Sequence, residues 1–161
     1  MKNKFESLKL LKSEIHDGLA RVEELNRKLS LSPEHIDDEV SEEDLIVIGY
    51  FLSGIYSTIE EIFVKVAKEF ENKIGDSEQW HTELLKRMAL EVDEVRPAVI
   101  SKKTQSCLDE LRKFRHVFRF SYAFELQNDK LGLVLKRWVN CRESFKNDVE
   151  NFLNELDRLA N

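Results

Sequence analysis

Apolar residues recur at helical spacing through most of this 161-residue chain, and this periodicity constrains the fold more than any other feature. Only five glycines and two prolines interrupt it, which argues against a β-sandwich with many tight turns. The pattern predicts an all-α protein. A chain of this length also falls in the usual size range of one domain, so residues 1–161 are predicted to form a single domain.

Breaks in the periodicity predict where the first helices begin and end. The first helix, residues 5–31, ends before Pro33, because proline biases the preceding residue away from the α region. Residues 34–44 hold seven acids and no Lys or Arg, and are predicted to form a solvated loop leading to a helix N-terminus. The second helix is predicted over residues 45–74, with Gly75 as its C-terminal cap.

Three further helices complete the prediction. A short helix is expected over residues 78–91, and the Arg96-Pro97 pair then breaks the chain. Ser101 is a candidate N-cap for the next helix, which runs to about Phe124, and a last helix covers residues 130–159. Four long helices and one short one predict a helical bundle.

Charge and cysteine usage bound the functional class. A net charge of −6 argues against binding of nucleic acid or membrane by the whole surface. Cys107 and Cys141 form no CxxC pair and are predicted to be buried free thiols in a reducing cytosol. The start of the chain lacks a signal peptide's apolar stretch, and no run reaches the roughly 18 apolar residues of a membrane span. We therefore expect a cytoplasmic protein with no membrane partner, no metal site and no cofactor.

A basic, aromatic-rich segment stands out in this acidic chain. Residues 102–119 contain six Lys or Arg and two acids. At 100° per residue, one sector of about 120° contains five of the polar or aromatic side chains: Arg112, Arg115, His116, Arg119 and Tyr122. Arginine offers a planar fork that matches phosphate oxygens, and tyrosine is suited to base stacking or hydrogen bonding. This face predicts a site for an anionic ligand.

A structural interpretation of the same face stays open. Arginine stems often lie along apolar helix surface, and acidic neighbours such as Glu60 or Glu61 are available to pair with them. The chain would then be a purely structural helical protein. His81, which follows Trp80, is interpreted as a surface or structural histidine.

The segment LRKFRHVFRFSY at residues 111–122 resembles the motif region of HepT-like proteins, members of the HEPN group of ribonuclease toxins. The segments at residues 50–72, WHTELL at 80–85 and RPAVIS at 96–101 resemble that family in the same order. The resemblance covers about residues 45–155, and the N-terminal helix is less distinctive. It implies a HEPN-like up-and-down helical bundle that dimerises, with ribonuclease sites in a cleft between subunits.

The family motif is Arg, four to six residues, His, one residue and Tyr. Arg115 and Tyr122 match it, whereas Phe120 stands at the His position with four intervening residues. Phenylalanine cannot transfer a proton, so His116 is the best remaining acid/base candidate. The resemblance implies the toxin component of a toxin–antitoxin system that cleaves RNA without a metal ion.

The resemblance also implies roles for individual residues. Arg115, Arg119 and Arg112 would hold the substrate phosphate, and Arg115, His116, Arg119 and Tyr122 would form the catalytic set. Tyr122 would accept AMP from a nucleotidyltransferase antitoxin. The alternative is a catalytically degenerate HEPN-type module that binds RNA, a nucleotide or a nucleotidyltransferase partner, and the sequence leaves open whether the chain is an enzyme.

Overall fold

A computed structural model describes residues 3–120 and 128–160, which contain five helices and no strand. The helices, in chain order, are α1 Lys4–Leu29, α2 Glu42–Phe70, α3 Trp80–Met88, α4 Lys102–Phe120 and α5 Asn128–Ala160. Four are long and α3 is short, so the predicted all-α class and the pattern of four long helices and one short one are confirmed; the predicted end of the fourth helix at about Phe124 lies outside the described residues.

Local capping chemistry sets several helix ends. Ser41 is the N-cap of α2 and accepts a hydrogen bond from the Asp44 amide at 3.1 Å. The last acids of the acidic segment therefore lie in the first turn of α2, where the helix dipole stabilises their negative charge. Ser101 accepts from the Thr104 amide at 3.1 Å, which confirms it as the N-cap of α4. Gly75 was wrongly predicted as a cap: α2 ends at Phe70, and Gly75 lies in the following loop with φ of 104°.

The four long helices form an antiparallel ring in the order α1, α2, α4, α5. The start of α1 meets the end of α5 through Lys12 and Asp157, whose Nζ and Oδ2 atoms are 2.7 Å apart. Later in the same pair, Trp138 Nε1 donates to the Asn26 side chain at 2.7 Å. Each long helix is packed against the one before it and the one after it, as an up-and-down bundle requires.

The short helix α3 packs on α2 and α4 and is held by a buried arginine in the loop that follows it. Arg96 is 3% exposed, and its guanidinium donates to Glu71 at the end of α2 and to the carbonyl oxygens of Arg87, Leu90 and Pro97. These bonds tie α3 and its loop to the end of α2.

Helix α2 lies at the centre of the core. By length and composition it could cross a membrane, with a mean hydropathy of 1.4 over an 18-residue window. Within the bundle, however, 56% of that window is buried, and Ile48, Leu52, Ile55, Ile59 and Phe63 are fully enclosed. Its contacts with α1, α3, α4 and α5 account for this broad apolar surface.

Cys107 and Cys141 correct one prediction. They lie on the facing sides of α4 and α5 and are joined by a disulfide bond, with Cα atoms 6.6 Å apart. The prediction of free thiols was wrong, because antiparallel packing of the two helices brings together cysteines that are 34 positions apart in sequence. Both side chains are buried, as predicted.

Candidate functional site

Arg115 lies on the buried side of α4 rather than on its surface. Its side chain is 5% exposed and makes a bidentate ion pair with Glu60 of α2: Nη1 lies 3.0 Å from Oε1 and Nη2 lies 3.0 Å from Oε2. The guanidinium also stacks over the Tyr56 ring, 4.6 Å from its centroid. The predicted alternative partner Glu60 is therefore the real partner of Arg115, whereas Glu61 pairs with Arg21 of α1.

His81, at the start of α3, joins this ion pair. Its Nδ1 atom lies 2.7 Å from Glu60 Oε2 and 3.2 Å from Arg115 Nη2, so one carboxylate oxygen of Glu60 contacts both His81 and Arg115. The imidazole stacks on the indole of Trp80, with ring centroids 3.6 Å apart. Its side chain is still 33% exposed. We name Glu60, His81 and Arg115 the buried triad.

Tyr56 forms the apolar wall of the buried triad. The residue is fully buried, and its hydroxyl has no hydrogen-bond partner among residues 3–120 and 128–160. Burial raises the pKa of the Tyr56 phenol strongly, and the neighbouring Glu60 carboxylate raises it further. The phenol therefore stays neutral at physiological pH and supplies its ring, rather than a proton, to the site.

Arg112 is partly neutralised by its own helix. Its Nε donates to Asp109 Oδ1 at 2.9 Å, one turn earlier in α4. Partial burial raises the pKa of Asp109, but hydrogen bonds from Arg112 and Lys113 outweigh it and leave that pKa below its ordinary value. Asp109 is thus a carboxylate that offsets part of the positive charge of α4.

His116 and Arg119 are the exposed polar members of the predicted face. The His116 ring meets the Phe120 ring edge-on, with centroids 5.0 Å apart, and Phe120 is 75% exposed. In the part of the chain that the structure describes, Arg119 makes no ion pair. Tyr122 lies outside the described residues. The predicted face is therefore split: Arg115 points into the bundle, while His116 and Arg119 point to solvent.

Residues 47–156 match the family of HepT-like proteins. The chain belongs to the HepT-like family, a member of the HEPN superfamily. No curated protein and no solved structure matches the chain at a significant level. The matched range agrees with the predicted extent of the resemblance and leaves all of α1 outside it.

The HepT-like match includes every member of the buried triad. Sequence reasoning found Arg115 and named Glu60 as a partner, but it interpreted His81 as a surface or structural residue. Positions 60 and 81 lie on different helices, and no spacing rule connects them. The signal that was available is the WHTELL segment itself, since it contains His81 and lies within the family resemblance.

A cavity of about 650 Å³ lies elsewhere in this HepT-like chain. It opens between the α1–α2 loop and the first half of α5. Its lining contains no member of the buried triad and none of Arg112, His116 and Arg119. The site argued from charge and geometry is thus a surface beside α3 and α4, apart from this cavity.

Proposed function

We propose that this HepT-like chain, as one domain over residues 1–161, is the toxin component of a toxin–antitoxin system. In this proposal it is a metal-independent endoribonuclease that works as a homodimer in the cytoplasm. One observation carries the proposal: the exposed side chains of Arg119 and His116 lie within about one helical turn of Arg115 and its buried triad. Family membership supports RNA as the ligand of such a surface.

The exposed side chains of Arg119 and His116 are suited to hold the RNA backbone. Arg119 presents a planar fork to phosphate oxygens, and His116, the acid/base candidate named from the sequence, lies beside it. Arg112 is half-buried, with Asp109 as its partner, so its contribution to phosphate binding is weaker than that of Arg119. Arg115 contributes through Glu60 and His81, since both ends of its fork are occupied.

Exposed apolar side chains support the homodimer. Val47 and Tyr50 of α2 and Val117 and Phe120 of α4 are 40%, 65%, 58% and 75% exposed. Gly49 lies against Phe118, so the two helices bring these side chains to the same level of the bundle. A second copy that covers this surface would place the cations of α4 at a subunit boundary. Sedimentation of the purified chain measures its oligomeric state.

A nucleotidyltransferase antitoxin is the second proposed partner. HepT-like toxins pair with such antitoxins, and the proposal makes Tyr122 the acceptor of AMP. Intact-mass measurement after incubation with ATP and a co-expressed nucleotidyltransferase would show the addition of one AMP. A Tyr122→Phe variant should then keep its unmodified mass.

The cleavage assay uses bulk tRNA with a chelator present. We expect the wild-type chain to cleave, and Arg119→Gln to weaken both RNA binding and cleavage by roughly tenfold, the cost of about 1.4 kcal/mol of charge-assisted contact. Arg158→Gln makes the same change of charge on α5, where the side chain is 77% exposed and paired with Glu155, and should leave both unchanged. Equal effects of the two variants, or no cleavage by the wild type, would contradict the nuclease proposal.

Phe120 favours a second candidate function, a binding module that has lost catalysis. Its exposed ring occupies the position of the motif histidine. This candidate predicts salt-sensitive RNA or nucleotide binding without cleavage. In the same assay, cleavage that appears only in Phe120→His would identify a degenerate nuclease, and binding without cleavage in both chains would favour the binding module.

A further inference from the structure

The His81 ring is oriented by a carboxylate and by a stacked aromatic ring, as the imidazole of a proton-transfer group needs to be. Its Nδ1 atom meets Glu60 Oε2 at 2.7 Å, and Trp80 fixes the ring plane by stacking. We propose that His81 is the proton carrier of the RNA-cleaving site, with Glu60 and Arg115 as positioning residues. This inference rests on the proposed endoribonuclease function.

The tautomer of His81 follows from its neighbours. Glu60 as a carboxylate only accepts hydrogen bonds, so Nδ1 must carry the proton that it donates at 2.7 Å. The neutral ring then has its lone pair on Nε2. The Arg115 guanidinium, 3.2 Å from Nδ1, cannot donate to that nitrogen and instead shares the same carboxylate oxygen. Glu60 thereby turns Nε2 into a base.

Arg115 makes this arrangement rigid. Its fork holds both oxygens of Glu60, so the carboxylate cannot rotate away from His81. The ion pair is almost fully enclosed, whereas a third of the His81 side chain is exposed. The buried part of the triad therefore orients the ring, and the exposed part is available to a substrate.

His116 lacks these features. It is exposed, its ring contacts Phe120, and the described residues provide no carboxylate within hydrogen-bond reach of it. Its ring orientation is set by an exposed aromatic neighbour alone. His116 is suited to phosphate binding, and His81 is suited to proton transfer.

A groove between α3 and α4 has room for a substrate strand. Its volume is about 520 Å³, and its lining includes Thr82, the residue after His81, but no member of the buried triad. Lys86, Lys102 and Lys113 line it together with Asp109 and Glu110. The lysines outnumber the acids, which suits the phosphodiester backbone of a single strand.

The proposed reaction needs only the RNA itself. His81 Nε2 takes the proton of the ribose 2′-hydroxyl as its oxygen forms a bond to the adjacent phosphorus. The bond between phosphorus and the 5′-oxygen breaks, and that oxygen leaves with the proton from His81. The products are a 2′,3′-cyclic phosphate and a 5′-hydroxyl, and the imidazole returns to its starting state.

His81→Asn tests this role with little change of structure. The asparagine amide can occupy the position of Nδ1 and donate to Glu60, but it offers no base in place of Nε2. We expect cleavage of bulk tRNA to fall by a factor of about 10² to 10⁴, with RNA affinity and thermal unfolding close to those of the wild type. His16→Asn, at an exposed position on α1, should cleave normally.

The outcomes separate the two proposals. Wild-type cleavage that His81→Asn retains would overturn the role of His81 and leave the nuclease proposal intact, and a selective loss in His116→Asn would do the same. No cleavage by the wild type would overturn both. If His81→Asn folds poorly, a second measurement on the wild type decides the question: nitrogen-15 NMR should show the Nδ1-protonated tautomer of His81. An Nε2-protonated ring would overturn the inference.

Discussion

At the scale of single residues, Arg115 differs from the other basic residues of α4 because its charge is buried in an ion pair with Glu60. Removing one partner of a buried ion pair leaves the other uncompensated and typically costs about 3–5 kcal/mol. Arg115→Ala would therefore reduce activity by unfolding as well as by any loss of chemistry. Substitutions of Arg119 and His81, which leave the ion pair with Glu60 in place, separate the two effects.

Tyr56 provides a residue-scale prediction. Its buried hydroxyl has no partner among the described residues, so Tyr56→Phe removes a desolvated polar group while keeping the ring beneath Arg115. We expect the free energy of unfolding of the variant at pH 7, measured in urea, to equal that of the wild type or to exceed it by up to about 3 kcal/mol. Tyr50→Phe, at a position 65% exposed, should be neutral. A clear destabilisation by Tyr56→Phe would show that the hydroxyl is bonded.

The same residue predicts an alkaline effect. The folded pKa of Tyr56 lies above its ordinary value of 10.0, so the unfolded chain loses this proton first as the pH rises. The stability contributed by the neutral phenol is complete below pH 10.0 and is lost progressively above it. Because phenylalanine does not ionise, the difference in stability between Tyr56→Phe and the wild type should widen between pH 9 and 11.

At the scale of elements, the packing of α1 on α2 depends on close approach at a glycine. A Cβ atom added at Gly18 would lie 2.6 Å from Ile62 Cγ1, whereas one added at Gly54 would lie 3.8 Å from Leu25 Cδ1. Both glycines are in helices and face the same interface. They therefore form a matched pair for separating helix propensity from packing.

Gly18→Ala and Gly54→Ala should change stability in opposite directions. Alanine gains roughly 0.5–1 kcal/mol over glycine within a helix, and Gly54→Ala should show that gain. At Gly18 the new methyl group pushes against Ile62, and overpacking of this kind costs about 1–3 kcal/mol, which exceeds the gain. Urea midpoints of the two variants measure the difference, and a stabilised Gly18→Ala would show that the two helices separate freely.

At the scale of the whole molecule, the disulfide bond joins α4 to α5 across 34 positions. It encloses the connection between these helices, so it restricts the unfolded chain more than the folded one. Loop-closure entropy for this length corresponds to about 3–4 kcal/mol. Disulfides are rare in reducing compartments, so the cytoplasmic placement in the proposed function implies that reduction opens this bond.

Because the disulfide bond adds stability, the thermal stability of the protein should depend on reductant. We expect dithiothreitol to lower the thermal midpoint of the wild type by about 6–16 °C, since about 1 kcal/mol corresponds to roughly 2–4 °C in a domain of this size. The double variant Cys107→Ala, Cys141→Ala removes the bond and should be insensitive to reductant. A wild-type midpoint that does not respond to dithiothreitol would show that the closure adds no stability.

Much of the architecture was predictable from the sequence because helical periodicity is local. The stripes on each helix, the Ser101 cap and the family resemblance all depend on residues close together in the chain. Helix ends were less exact: α2 was placed about three to four residues too far along at both ends. Ser41 capping, and not the first apolar residue, determines where that helix begins.

The sequence by itself determined the all-α class, the five helices, the HepT-like family and the basic character of α4. Only the tertiary structure decided which basic residues are available to a ligand: Arg115 is enclosed by its contacts with Glu60 of α2 and His81 of α3, whereas Arg119, one turn later in the same helix, is exposed. It likewise brought Glu60, His81 and Arg115 together from three helices, and paired Cys107 with Cys141. Contacts between residues far apart in the chain arise from packing, which no local pattern of residues specifies.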